Sequence, residues 1–136
     1  MFEATVIVEY GYWLVLSLSV GITITHTIEE ATADEPIWVY LFRIYGCGSV
    51  STTVGLADLI MFAIVQIALG VGFYYFGLHT CGGLLAGIRL GDAVASHWVP
   101  WFRGHRPNPG LWSSTLYLLE FAAVTYHLAS KELCTA

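Results

Sequence analysis

His26, Glu29 and Glu30 occupy positions i, i+3 and i+4 of one stretch, His-Thr-Ile-Glu-Glu. On a helix turning about 100° per residue, the two carboxylates flank the imidazole at roughly −60° and +40°, so all three share a face. An imidazole nitrogen with one or two carboxylate oxygens is a partial shell for iron, manganese or zinc. His97 is the natural ligand from another helix, which makes the expected metal set His26, Glu29, Glu30 and His97. Asp58 is an outer or extra carboxylate. Paired carboxylates also serve as general acids and bases, so Glu29 and Glu30 are the catalytic candidates. The plain alternative is a solvated helix end, with the acids paired to Arg43, Arg103 or Arg106 or to the positive end of a neighbouring helix.

These residues need elements to bring them together, and composition says which kind. Of the 136 residues, 57% are apolar and 11% charged, against about 25% charged in an average soluble domain. Mean hydropathy is +0.69. A soluble domain of this length needs a polar coat that this composition hardly supplies. The expectation is an all-α polytopic membrane protein: one domain, four transmembrane helices in a bundle and one interfacial segment. The spans fall at about 4–25, 54–76, 84–102 and 109–129. The aromatics and Arg43 after Pro36 suit the interfacial segment, and Trp98, Trp101 and Trp112 suit an aromatic belt. Gly77 to Gly83 reads as a tight turn, and Asn108 with Pro109 as the N-cap and first residue of the last helix.

Counting spans places His26, His97 and the loop from Arg103 to Asn108 on one membrane face. The lysine and arginine bias, with Arg43, Arg103 and Arg106 on that face and Lys131 on the other, makes it cytoplasmic and leaves both termini outside. The N-terminus has no positive region and reads as a span rather than a removed signal peptide. A net charge of −5 with five Lys and Arg leaves no basic stripe for nucleic acid. Cys47, Cys81 and Cys134 form no metal or disulfide spacing. Arg89 and Asp92 read as an internal ion pair at i, i+3, and Glu9 and Glu120 as a lipid-buried pair or as protonated acids, with structural roles.

The order His26-Thr-Ile-Glu29-Glu30, a later His97 and the Asn108-Pro109-Gly110 turn resembles the HXXEE-domain family of integral membrane proteins. That family carries an HxxEE motif, a further histidine and a YxPG motif. Pro107 stands where the family has tyrosine. The resemblance covers residues from about 10 to 125. It implies a small multi-helix membrane protein and names no reaction.

Three functions fit these residues. The first is a membrane-embedded metal or acid–base site acting on a lipophilic substrate. The second is an accessory subunit, whose partners besides the bilayer are a second copy or a larger membrane complex. The third is a small transporter with Asp58, Arg89, Asp92 and Glu120 along its path. The last suits four short spans poorly, and no inverted repeat is visible.

Overall fold

The computed structural model describes residues 2–46, 48 and 50–135, and the side chains of 13–46, 48, 50–127 and 129. Glu9, Cys47, Lys131 and Cys134 lie outside the described side chains. The chain is 83% helical and contains no strand among the described residues, as the composition predicts. Five helices follow one another: α1 (Phe2–Thr32), α2 (Ile37–Tyr45), α3 (Thr52–Tyr75), α4 (79–102) and α5 (Leu111–Thr135). Two of them change winding. Val71–Tyr75 at the end of α3 and Ala93–Trp98 within α4 are π-helical.

Local chemistry accounts for the elements. In α1 the hydroxyls of Thr23, Thr27 and Thr32 donate to the carbonyls of Ser19, Thr23 and Ile28, four residues back. Polar side chains are thereby satisfied inside an apolar helix. Ser51 caps α3, its Oγ accepting from Val54 N at 3.4 Å. The segment expected to lie in an interface forms α2, but Ile37, Trp38 and Tyr40 are buried rather than displayed. They form a core with Leu59 of α3. Trp38 fits because Gly55 has no side chain: a Cβ there would lie 2.3 Å from the indole ring.

The expected spans fall within α1, α3, α4 and α5. Among the described residues only α3 is long and apolar enough to cross a membrane, with a mean hydropathy of 2.2. The buried Arg89 and His97 of α4 and the serines at the start of α5 lower the hydropathy of those helices. α1 packs on α3 and α5, and α4 packs on the same two helices.

Polar side chains are buried among the apolar core, while many large apolar side chains are exposed. Ser19, Thr23, His26, Glu30, Gln66 and Arg89 are buried, whereas Trp13, Leu14, Leu18, Ile28, Met61 and Leu119 are exposed. Arg89 anchors the middle. It pairs with Glu120 of α5, and its Nε donates to Gln66 Oε1 at 3.1 Å. Nη2 donates to Thr23 Oγ1 at 2.6 Å and Ser19 O at 3.3 Å. The guanidinium also lies 4.6 Å from the Tyr117 ring centre. The sequence reading paired Arg89 with Asp92. The fold instead offers Arg89 a carboxylate on a facing helix and turns Asp92 elsewhere.

Candidate metal centre

α1 carries His26 and Glu30 one helical turn apart, and both are buried. α4 brings Asp92 and His97 against them. One ligand atom from each of the four residues lies within 4.8 Å of all the others. His26 Nε2 is 3.1 Å from Asp92 Oδ2 and 3.4 Å from Glu30 Oε1. His97 Nε2 is 3.3 Å from Glu30 Oε1 and 3.9 Å from Asp92 Oδ2. Metal–ligand bonds of about 2.1 Å arranged tetrahedrally place ligand atoms about 3.4 Å apart. The four separations bracket that value.

The outer contacts fix which ring nitrogens face inward. Asn108 Nδ2 donates to Tyr40 Oη at 2.9 Å and to His97 O at 2.8 Å. Its Oδ1 is therefore left to accept from His97 Nδ1–H at 2.9 Å. Ser113 Oγ donates to Gly110 O at 3.2 Å and accepts from His26 Nδ1–H at 2.7 Å. With each Nδ1 donating outward, each ring turns its Nε2 toward the two carboxylates, and in its neutral form offers a lone pair there. His97 Nε2 has no hydrogen-bond partner, although it is fully buried and 3.3 Å from Glu30 Oε1. Two neutral imidazoles and two carboxylates carry a charge of about −2, which a divalent cation cancels. Outer hydrogen bonds at Nδ1 are the usual means of orienting a ligating histidine.

A change in winding puts Asp92 in this group. In an α-helix, residues five apart point about 140° away from each other. Asp92 precedes the π-helical stretch that contains His97. There i→i+5 hydrogen bonding stacks residues five apart on one face. An acid followed five residues later by a histidine within one helix is the available signal, but the 3.6-residue period conceals it.

The other expected site residues are placed as follows. The structure brings His26, Glu30 and His97 together. Glu29 is not in the group: its Oε2 accepts from Ser113 N at 3.3 Å, at the first turn of α5. An anion is favoured at that end of a helix. Asp58 is exposed on α3 and not in the group. With Glu30 and Asp92 it lines an otherwise apolar cavity of about 510 Å³ between α2 and α3. Asn108 does not cap α5, which begins at Leu111; its side chain is spent on His97 and Tyr40. Two of the three expected arginine partners, Arg43 and Arg106, are engaged elsewhere. Arg43 pairs with Glu35 at 2.6 Å, and Arg106 stacks 3.7 Å from the Trp101 ring centre. Among the described residues no arginine pairs with the cluster.

The turn before α5 closes the centre. Gly110 has φ +77, and a Cβ on it would lie 2.7 Å from His97 Cε1 and 2.9 Å from both Glu30 Cγ and His26 Cε1. Gly110→Ala must therefore strain the backbone and push three of the four ligand side chains apart. Metal affinity is expected to fall about tenfold or more, the scale of a lost outer contact. Equilibrium dialysis against a competing chelator measures it, and unchanged affinity would show that the turn does not support the centre.

The Tyr117 ring lies 4.5 Å from that of His26, centre to centre, and separates the centre from Arg89. The described cluster and its supports thus come from α1, α2, α4, α5 and the loop before α5. No family model matches the chain, and no curated protein or solved structure matches it either.

Proposed function

We propose that the chain is a four-span membrane protein in which His26, Glu30, Asp92 and His97 hold one divalent iron, manganese or zinc ion and act on a lipophilic substrate. The observation that carries this reading is the convergence of two imidazole nitrogens, the buried Glu30 carboxylate and the half-buried Asp92 carboxylate, whose ligand atoms all lie within 4.8 Å of one another. A mixed nitrogen and oxygen donor set suits these metals. When bound, such an ion acts as a Lewis acid toward a substrate oxygen. Glu30 and Asp92 balance its charge, and Ser113, Asn108 and Gly110 hold the ligands in register.

Membrane residence is supported by the apolar α3, by the exposed apolar side chains of α1, α3 and α5, and by the polar groups buried between the helices. Buried ionisable groups in such a setting are functional candidates by default. The HXXEE resemblance supports the same class. The arginine bias favours a centre near the cytoplasmic face with both termini outside. The apolar cavity beside Glu30 and Asp92 supports a lipophilic substrate.

Purification in mild detergent followed by elemental analysis tests the metal. About one ion per chain is expected, with a thermal midpoint that falls on chelation and recovers on refilling, because a ligand of the native state stabilises it. A protein that retains no transition metal, and whose midpoint ignores added iron, manganese and zinc, would overturn the proposal.

A further inference from the structure

The cavity beside the centre has a shape and a charge that narrow its occupant. Trp38, Leu41 and Phe42 of α2 form one wall, and Leu59, Phe62 and Val65 of α3 form the other. Glu30 of α1 and Asp92 of α4 also reach the lining. The lining stretch of α3, from Gly55 to Val65, covers about 15 Å at 1.5 Å per residue, roughly the depth of one leaflet of a 30 Å hydrocarbon core. The volume of about 510 Å³ lies in the usual range of small-molecule sites, roughly 300–1,000 Å³.

Every ionisable group on the lining is a carboxylate: Glu30, Asp58 and Asp92. Arg43 and Arg89, the arginines on neighbouring elements, are held by Glu35 and Glu120. With a divalent ion cancelling Glu30 and Asp92, Asp58 is the uncompensated charge on the lining; it disfavours an anionic head group and leaves a neutral oxygen head unaffected.

We propose that this groove binds a single-chain lipophile with an uncharged oxygen head, an alcohol or carbonyl, and presents that oxygen to the His26–Glu30–Asp92–His97 centre. The inference rests on the metal reading for what happens beside Glu30 and Asp92, but not for the selectivity of the walls. Asp58, exposed on the lining, is the selectivity residue. It repels anionic heads and leaves neutral ones unaffected.

Photo-crosslinking in phosphatidylcholine vesicles tests this. The probes are dodecanol and dodecanoic acid carrying a diazirine at the same carbon, used at a pH where the acid is ionised. Labelled peptides are read by mass spectrometry, and the metal content of the same sample is measured. The alcohol is expected to label residues 37–42 and 55–65 about tenfold more than the acid, since placing like charges together costs several kcal/mol. Met61→Trp fills the groove from an exposed position and should remove most alcohol labelling without changing metal content. Asp58→Asn should raise acid labelling and leave alcohol labelling alone. Equal labelling by both probes, or alcohol labelling indifferent to Met61→Trp, overturns the inference. Selective labelling of a metal-free sample sinks the metal reading and keeps the groove. A metal-loaded sample without labelling does the reverse.

Discussion

Asp92→Ala is expected to strip the metal from the protein, and Glu29→Ala to leave it in place. Asp92 Oδ2 stands 3.1 Å from His26 Nε2 and 3.9 Å from His97 Nε2. Removing it takes one of four donors and half of the anionic charge. Loss of an outer hydrogen bond alone costs about 10–100-fold in metal affinity, so loss of a ligand should cost at least about 100-fold. Glu29 is the more conspicuous acid in the HxxEE motif, yet its carboxylate serves the first turn of α5. Its removal should cost about 1 kcal/mol of stability or less, the scale of a partly exposed charge at a helix end. Ser113→Ala and Asn108→Ala should fall between the two, because each frees one imidazole to turn. Metal retained after dialysis against a chelator ranks the variants. Equal retention by Asp92→Ala and the parent protein would remove Asp92 from the centre.

Arg89→Met is expected to destabilise the protein by about 3–5 kcal/mol, and Arg89→Met with Glu120→Leu to recover most of that loss. The single variant leaves Glu120 unpaired in the interior, where an uncompensated carboxylate is costly; the double variant removes both charges. Tyr74 Oη, which donates to Glu120 Oε1 at 2.8 Å, cannot balance a full charge. The double variant also leaves Gln66, Thr23 and Ser19 without the guanidinium donors they now use, so recovery should be incomplete. Denaturant titration in detergent, followed by circular dichroism, measures both. A single variant as stable as the double one would mean that Glu120 finds water or a proton at no cost.

Periodicity made half of the centre legible. His26 and Glu30 are one turn apart in any α-helix, so their shared face follows from spacing alone. Counting helices was enough to bring His97 and the Asn108-Pro109-Gly110 turn to the same end. The positions of the helices were legible too, because long apolar stretches separated by glycine, proline and charge have few alternatives. Mean hydropathy was a poorer guide to which helices look like spans, since α4 and α5 turn their polar residues inward, where the average cannot distinguish them from a wet face.

What stayed hidden depended on partners remote in the chain. Asn108 has the residue type and position of an N-cap, and local rules assign it one. Its amide goes instead to His97, eleven residues earlier, and to Tyr40 of α2. Arg89 had a carboxylate within a helical turn and took one from a facing helix. Residue types and the 3.6-residue period determined that histidines and carboxylates would meet inside an all-α protein. Only the packed structure decided that Asp92, rather than Glu29, completes the set. Winding within α4 responds to the hydrogen bonds and neighbours of the finished fold, and a shift from i→i+4 to i→i+5 pairing turns a side chain by a large part of a turn without any change in sequence spacing.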